Sequence, residues 1–315
     1  MCVTCGCSDN DKATVTDLDS GKVVAVAADD HDHSHEHDHH HTHDHDHSHE
    51  HHAHDHNHDH QHTHEHHDHG HSHNHDHSHD QSAAHAHAGL HGTTISLEAE
   101  ILAKNDLLAE RNRGWFDGRN ILALNLVSSP GSGKTTLLER TISDLKASLP
   151  INVVEGDQET VNDAERIKST GCRVVQINTG TGCHLEADML ARGIKELQPP
   201  MDSVVMIENV GNLVCPALFD LGEKCKIAIL SVTEGEDKPI KYPHMFRAAE
   251  VMILNKIDLL PYVNFNVDGC IEYARTVNPD INIFQLSATT GEGMDDWYDW
   301  LQHQVRKNSD HEAIA

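Results

Sequence analysis

A glycine-rich segment that follows an apolar run has the residue types needed to hold a phosphate chain. The run at 121–127 leads into Ser128-Ser-Pro-Gly-Ser-Gly133-Lys134-Thr135-Thr136. The glycines let backbone N–H groups close around phosphate oxygens, and the next helix adds its N-terminal dipole. Lys134 would reach the β- and γ-phosphates, and the Thr135 hydroxyl would bind Mg²⁺. This Walker A pattern departs from the usual one at Ser128, where glycine is expected. The predicted phosphate contacts are Gly131, Ser132, Gly133, Lys134, Thr135 and Thr136.

A second motif would select the base of the nucleotide. Asn255-Lys256-Ile257-Asp258 directly follows the apolar run 251–254. The Asp258 carboxylate can accept two hydrogen bonds from the N1–H and exocyclic amine of guanine, whereas adenine offers no such donor pair. The Lys256 stem would cover the base, and Asn255 would tie this loop to the phosphate loop. Together with Ser287 and Ala288, at the end of another predicted strand, the motif predicts GTP.

Two acids at strand ends are candidates for Mg²⁺ binding and hydrolysis. The Asp-x-x-Gly turn of many GTPases is absent at the expected place, where the run 204–207 leads to Glu208-Asn-Val-Gly-Asn-Leu. Glu208 stands where a carboxylate that supports Mg²⁺ belongs, and Asp157 could contact Mg²⁺ or the attacking water. With Lys134 they form the predicted catalytic set, although both acids could simply be solvated. Since no catalytic arginine or glutamine is evident, we expect slow intrinsic turnover.

Cysteine and histidine residues form a possible metal site in the same part of the chain. Cys183-His184 lies in a glycine-rich loop, and Cys215 follows Glu208 by seven residues. Two thiolates and an imidazole can bind Zn²⁺ or Ni²⁺ and leave positions open for water or a second subunit's ligands. Two unrelated reduced thiols are an equally good reading of the spacing. Three other cysteines have no ligand partner nearby in sequence and are predicted to be packing residues: Cys172, Cys225 and Cys270.

The N-terminus brings three further soft ligands into six residues. Cys2, Cys5 and Cys7 are separated by Gly6 and two other residues, and the terminal amine could be a fourth ligand. Such a set suits square-planar Ni²⁺, and tetrahedral Zn²⁺ remains an alternative. We therefore predict metal binding here without assigning the metal.

A histidine tract follows. Of the 34 histidines, 30 lie between His31 and His91, in a stretch without Lys or Arg and almost without large apolar residues. Such a stretch cannot bury enough surface to offset its ordering entropy, so we predict a tail or linker. Neutral imidazoles bind Ni²⁺, Zn²⁺ and Cu²⁺, and three or four per ion give an upper bound of roughly seven to ten ions. The tract would store metal and release it near pH 6; a solubilising linker is the alternative.

The remaining pattern predicts the elements that position these residues. Short apolar runs alternate with amphipathic stretches from residue 92 onward, which is typical of a mostly parallel sheet flanked by helices on both faces. Ser96 could cap a helix through about Arg111. The predicted fold is α/β, a P-loop GTPase domain over 92–315, preceded by a cysteine segment (1–30) and the histidine tract (31–91). The predicted strands are 121–127, 151–154, 174–177, 204–207, 227–232, 251–254 and 281–286, and the predicted helices include 134–146, 186–197 and 295–305.

Charge and apolar content exclude several classes of partner. The net charge is −28, and no part of the chain has the basic surface that nucleic acid or an anionic membrane would require. The apolar run at 23–28 is too short for a signal peptide or a membrane span. We therefore expect a cytoplasmic protein whose eight cysteines are reduced.

Three features of the chain together closely resemble the hydrogenase maturation nickel-incorporation GTPases, the HypB family. They are the Cys-x-x-Cys-Gly-Cys start, the histidine-rich insert, and a domain that contains Cys-His and Glu-Asn-Val-Gly-Asn-Leu-Val-Cys-Pro. The resemblance implies a GTPase that dimerises with nucleotide and assists nickel insertion into the [NiFe]-hydrogenase large-subunit precursor, together with a partner nickel metallochaperone. It also implies that Cys2, Cys5 and Cys7 form a high-affinity nickel site. By the same resemblance, Cys183, His184 and Cys215 form a nickel or zinc site near the dimer interface.

Two other functions compete with this interpretation. One is a sister GTPase that serves urease or a cobalamin or zinc enzyme. The N-terminal cysteine motif and the Cys-Pro after Asn-Leu-Val argue against it. The other is a non-enzymatic nickel or zinc store, which only the histidine tract favours. For the GTPase, we expect a switch: the loops after Asp157, at Cys183-His184 and from Glu208 to Cys215 would link the γ-phosphate to the metal ligands, provided that metal affinity differs between the GTP and GDP states.

Overall fold

The computed structural model describes residues 13–25, 81–158 and 162–312. The N-terminal cysteines and the tract from residue 31 to residue 80 lie outside these ranges. Residues 13–25 and 90–312 belong to one compact unit. The strands of the described residues are Thr14–Asp17 (β1), Lys22–Ala25 (β2), Leu122–Ser128 (β3), Ile151–Asp157 (β4), Arg173–Asn178 (β5), Val204–Glu208 (β6), Cys225–Ser231 (β7), Ala249–Asn255 (β8) and Asn282–Gln285 (β9).

Helices connect most of these strands. The helices of the described residues are Gln81–Asp117 (α1), Lys134–Leu145 (α2), Asn162–Ser169 (α3), Ala187–Leu197 (α4), Cys215–Leu218 (α5), Lys238–Lys241 (α6), Pro243–Ala248 (α7), Val267–Val277 (α8) and Met294–Glu312 (α9). A 3-10 helix spans Ile257–Tyr262. None of the helices in the described part of the chain is long and apolar enough to cross a membrane.

A single sheet runs through the molecule in the order β2-β1-β5-β4-β6-β3-β7-β8-β9. The strands from β5 to β9 in this order are parallel, as βαβ connections require. All seven predicted strands are present, with ends shifted by at most three residues. The prediction of an α/β fold with a mostly parallel sheet is therefore confirmed.

The central parallel strands are mostly apolar because both faces of the sheet are covered. Successive residues of β6 illustrate this: Val204 and Met206 pack on one face, against α2, α3 and α9, whereas Val205 and Ile207 pack on the other, against α1 and α4. A third apolar cluster lies between α7, α8 and the strands β7 and β8. Since apolar side chains fill both faces, polar groups concentrate where the parallel strands end, the usual location of ligand sites in such sheets.

The start of α1 differs from the prediction. The helix begins at Gln81, so Ser96 lies inside it and is not its N-cap, and the last part of the predicted unfolded tract is helical. Alanine is the best helix former, and residues 83, 84, 86 and 88 are alanine. Extending an existing helix avoids the cost of nucleation, which explains how a stretch without an apolar face continues the helix.

A β-hairpin that the sequence analysis did not predict extends the sheet. β1 pairs antiparallel with β2 and with the edge of β5, where Thr14 lies opposite Asn178. The turn is closed by Asp17, whose Oδ1 accepts hydrogen bonds from the backbone N–H groups of Asp19 and Ser20 at 2.8 and 3.2 Å. Val15 is buried in the same cluster as β5 and α4. The first strand therefore contributes to the core of the domain.

Candidate functional site

The phosphate loop connects β3 to α2 and depends on two glycines with left-handed backbone angles. Gly131 has φ 76° and Gly133 has φ 95°. A Cβ on Gly133 would lie 2.6 Å from Asn255 Nδ2, so a larger residue would displace the base-recognition loop. The loop therefore has a shape that only glycine fits at this position.

Ser128 has a role that accounts for its departure from the usual pattern. Its hydroxyl accepts a hydrogen bond from Lys134 Nζ at 2.9 Å and donates one to the Ser129 carbonyl at 2.7 Å. Burial lowers the pKa of Lys134, while Glu208 and nearby acids act in the opposite direction. The serine thus positions a buried amine that has few other hydrogen-bond acceptors.

Thr135 and Glu208 join the phosphate loop to the end of β6. Thr135 Oγ1 donates a hydrogen bond to Glu208 Oε1 at 2.8 Å. The other carboxylate oxygen, Oε2, is buried without a hydrogen-bond partner, and burial raises the pKa of Glu208 to about 7. Asp157, which is half-buried, is the last residue of β4, the strand that pairs with β6. A buried carboxylate oxygen without a partner beside a threonine hydroxyl fits a hard divalent cation with oxygen ligands such as Mg²⁺.

Glu155 is a further buried acid of this region that the sequence analysis missed. It lies opposite Glu208 on the adjacent parallel strand, and its Oε2 is also buried without a hydrogen-bond partner. Burial, followed by the charges of Glu208 and Asp157, raises the pKa of Glu155 to about 9. The available signal was an acid directly after the apolar pair Val153 and Val154, two residues before Asp157.

Hydrogen bonds anchor the predicted base-recognition loop to the phosphate loop and to the loop after β9. Asn255 Nδ2 donates to the Ser132 carbonyl at 2.9 Å, and its Oδ1 accepts from the backbone N–H of Ala288 at 3.2 Å. Lys256 Nζ donates to the Gly131 carbonyl at 2.6 Å. Asp258 Oδ1 is buried without a hydrogen-bond partner. An acceptor held in this way is suited to N–H donors such as those of guanine.

The cysteines and histidine predicted as metal ligands come together in space. Ligand atoms of Cys183, His184 and Cys215 all lie within 4.8 Å of one another. The two sulfurs are 3.1 Å apart, and Cys183 Sγ lies 3.6 Å from His184 Nδ1. Burial lowers the pKa of His184 to about 4, so its imidazole is neutral and able to act as a ligand at pH 7. This donor set suits Ni²⁺ or Zn²⁺.

One loop connects the metal ligands to the phosphate loop. It runs from Glu208 to Cys215, and a Cβ on Gly211 would lie 3.0 to 3.2 Å from atoms of Pro130 in the phosphate loop. One residue later, Asn212 Nδ2 donates to the Cys183 carbonyl at 3.2 Å. Residues that contact the phosphate loop and residues that hold the thiolates are therefore neighbours in one short segment.

Sequence and structure comparisons agree on the family. Residues 122–285 match the CobW/HypB/UreG nucleotide-binding domain. The hydrogenase maturation factor HypB of Escherichia coli K12 is 60% identical over 223 residues, which cover 69% of this chain and 77% of that protein. The probable hydrogenase maturation factor HypB of Methanocaldococcus jannaschii is 36% identical over 68% of this chain and 96% of that protein.

Two solved structures are also similar. The crystal structure of HypB from Helicobacter pylori in complex with nickel has a TM-score of 0.61 and 39% identity, over 65% of this chain and 96% of that one. HypB from Archaeoglobus fulgidus gives a TM-score of 0.61 and 37% identity, over 64% and 99%. The chain belongs to the HypB family. It is therefore a P-loop GTPase.

Two residues predicted for this HypB-family site make hydrogen bonds within the protein that are not part of their predicted roles. Thr136 Oγ1 faces α3, where it accepts a hydrogen bond from Arg166 Nη2 at 3.2 Å. Ser287 shapes its own loop, since its Oγ accepts from the backbone N–H of Thr290 at 3.1 Å. Cys2, Cys5, Cys7 and the histidines before residue 81 lie outside the described residues.

The structure also shows a support of the phosphate loop that sequence reasoning missed. Glu234, after β7, accepts a hydrogen bond from Ser132 Oγ at 2.7 Å. Lys238 forms an ion pair with Glu234 at 3.0 Å and donates to Ser129 Oγ at 2.8 Å. The contacts with Ser132 and Ser129 join residues that are distant in sequence, and no local motif marks them.

Proposed function

We propose that this HypB-family GTPase is a nickel metallochaperone, which uses GTP hydrolysis in assisting nickel insertion into the [NiFe]-hydrogenase large-subunit precursor. One observation carries the proposal: the convergence of Cys183, His184 and Cys215 at the end of a loop that also contacts the phosphate loop. Its relatives are hydrogenase maturation factors, and one was solved with nickel.

The nucleotide half of the function rests on polar groups of the phosphate loop and of the ends of β4, β6 and β8. Lys134 would neutralise phosphate charge, and Asp258 would accept the donors of guanine. Thr135, Glu208 and Asp157 would hold Mg²⁺, which on binding would neutralise charge on the β- and γ-phosphates. Asp157, half-buried at the end of β4, is the acid best placed to orient an attacking water. These assignments make Lys134, Asp157 and Glu208 the proposed catalytic residues.

The metal-binding half of the proposed function rests on an incomplete set of metal ligands. Two thiolates and one imidazole are fewer ligands than Ni²⁺ or Zn²⁺ normally takes, so a partner could supply the remainder. Val214 and Leu218, which flank Cys215, leave 50% and 51% of their surface exposed. Exposed apolar side chains beside open coordination positions favour an interface at this site. We propose that a second copy docks here with nucleotide bound, and that a partner nickel metallochaperone exchanges metal with the site.

The loop from Glu208 to Cys215 supplies a physical route for coupling. Loss of the γ-phosphate would change the contacts of Thr135 and Glu208, and the same segment positions Gly211 on Pro130 and Asn212 on Cys183. A nucleotide can shift metal affinity only if the two nucleotide states differ in their contacts with this segment. The proposed cycle therefore requires a metal affinity that differs between GTP and GDP.

The test is the nickel affinity of the metal site in each nucleotide state. The full chain with Ser at Cys2, Cys5 and Cys7 would be titrated with Ni²⁺ under reducing conditions, with GDP or a non-hydrolysable GTP analogue. Thiolate-to-nickel charge-transfer absorption reports only cysteine-bound metal, so the histidine tract stays silent. A tenfold difference corresponds to about 1.4 kcal/mol of coupling and supports the proposal. Equal affinities would exclude direct gating of the metal by nucleotide, and an added Cys183→Ser change should abolish the signal.

A further inference from the structure

Glu155 occupies a position that its strand does not explain. It is 2% exposed and lies near the end of β4, a strand whose preceding residues Val153 and Val154 are fully buried apolar side chains. A carboxyl group inside such a strand loses its hydration, and this loss is costly unless hydrogen bonds or an opposite charge replace the water.

The register of the sheet places Glu155 in a polar row. Glu155 pairs with Glu208 of β6 on one side and with Gln176 of β5 on the other. Residues in register on adjacent strands share a face of the sheet, and alternation places this row on the face covered by α2 and α3. Asp157, two residues later, faces the same side. Glu155 is thus one step deeper in the sheet than Asp157 and directly beside Glu208.

The hydrogen bonds of the row leave two oxygens without partners. Gln176 hydrogen-bonds to Glu155, and Thr135 donates to Glu208 Oε1 at 2.8 Å. Oε2 of Glu155 and Oε2 of Glu208 are both buried and lack any hydrogen-bond partner. Two neighbouring carboxyl groups with such oxygens repel each other when ionised, and a divalent cation or its bound water converts that repulsion into attraction.

We propose that Glu155 is a positioning residue of the cation site, which supports Mg²⁺ through Glu208 and the water bound to the ion. This role presupposes the proposed cation site of Thr135, Asp157 and Glu208, to which it adds a third acid. Residues that orient metal ligands from behind commonly change metal affinity ten- to hundredfold when they are replaced. In the Mg²⁺-bound state the nearby cation would favour the ionised form of Glu155, so its charge, rather than its shape, is the property that the site would use.

The experiment measures Mg²⁺ affinity at the nucleotide. The full chain, bound to a fluorescent non-hydrolysable GTP analogue, is titrated with Mg²⁺, and slowing of nucleotide release reports the ion at that site. In Glu155→Gln, which keeps size and hydrogen bonding but removes the charge, the half-saturating Mg²⁺ concentration should rise roughly ten- to hundredfold. Nucleotide affinity in EDTA and the metal-free melting temperature should not fall, because the glutamine keeps the size of the buried side chain and its hydrogen bond with Gln176.

Two comparison variants separate the outcomes. Glu223→Gln changes another buried glutamate, which accepts a hydrogen bond from Asn125. Glu223 lies just before β7, where the parallel strands begin rather than where they end. This variant should therefore leave Mg²⁺ affinity unchanged. Glu208→Gln should weaken it. Unchanged Mg²⁺ affinity in Glu155→Gln, with a loss in Glu208→Gln, would overturn the role of Glu155 and leave the cation site standing. Unchanged Mg²⁺ affinity in both Glu155→Gln and Glu208→Gln would overturn the role of Glu155 and the cation site alike. A fall of nucleotide affinity in EDTA in Glu155→Gln would show that Glu155 has a structural role instead.

Discussion

At the scale of single residues, the proposed base recognition rests on one carboxylate. Asp258 Oδ1 is buried without a hydrogen-bond partner, although the neighbouring Asn255 and Lys256 are both engaged with the phosphate loop. The loop is therefore held in place before nucleotide binds, while the acceptor that would read guanine stays available. Preorganisation of this kind lowers the ordering cost of binding.

Asp258→Asn should weaken GDP binding roughly ten- to hundredfold, because hydrogen bonds to a charged group contribute about 1.5–3 kcal/mol. The asparagine amide would donate to the C2 carbonyl of xanthine, so the variant should gain affinity for XDP. Competition against a fluorescent GDP measures both effects. Asp280→Asn, at an exposed loop position, is the matched control and should leave both affinities unchanged. A variant with normal GDP affinity would show that Asp258 does not contact the base.

The cysteines should differ sharply in reactivity. Burial raises the pKa of Cys172 and of Cys270 to about 12, so only about one thiol in ten thousand is ionised at pH 8. Iodoacetamide at pH 8 should therefore label half-buried Cys183 and spare Cys172 and Cys270 in the native protein. Peptide mass spectrometry would identify the labelled sites, and urea should make all of them reactive. Equal labelling of Cys172 and Cys183 without urea would contradict the packing role.

At the scale of elements, the loop after β6 should transmit changes between the two sites. Gly211→Ala would place a methyl group 3.0 to 3.2 Å from Pro130, including backbone atoms of the phosphate loop. Overpacking costs about 1–3 kcal/mol, so GDP affinity should fall about tenfold, and nickel affinity at the thiolates should change with it. Titrations of both ligands measure this. Gly114→Ala in α1, where a Cβ would meet nothing within 4 Å, should change neither affinity.

The β1–β2 hairpin should stabilise the domain through a single face. Val15 is 1% exposed and packs with β5 and α4, whereas Val23 on the outer strand is 61% exposed. Val15→Ala should lower the free energy of unfolding by about 1–3 kcal/mol, and Val23→Ala should change it by less than about 0.5 kcal/mol. Urea denaturation of the two variants measures the difference. Equal effects would mean that the hairpin does not share the core.

The same hairpin shows what the sequence could and could not predict. The parallel strands were recognisable because burial on both faces makes them continuous apolar runs, and the phosphate and base loops because their motifs are local. The four-residue strands Thr14–Asp17 and Lys22–Ala25 lack such a run, and β1 pairs with a strand about 160 residues away. Glu155 and Glu234 escaped notice for a related reason, since their partners are brought together only by the sheet.

At the scale of the whole molecule, the proposed binding groups for nucleotide and metal lie together where the parallel strands of the sheet end. β3, β4, β6 and β8 end at the nucleotide groups, and the loops after β5 and β6 carry the thiolates and imidazole. Adjacent parallel strands make this arrangement possible, because loops from distant parts of the sequence meet at their carboxyl ends. The proposed site residues of the described chain all lie outside the histidine tract in sequence, so metal storage proposed for the tract and GTP turnover should be separable.

Deletion of residues 31–80 tests that separation. The change removes most of the histidines but none of the described site residues, which all lie between 128 and 288. Bound nickel after dialysis at pH 7.5 should fall by most of the roughly seven to ten ions that the tract could hold, whereas the GTP turnover number should stay within twofold. Imidazole ordinarily titrates near pH 6.5, so dialysis at pH 5.5 should strip this nickel from the intact chain. Elemental analysis and phosphate release measure the two quantities; slower turnover in the deletion would show that the tract acts on the GTPase cycle.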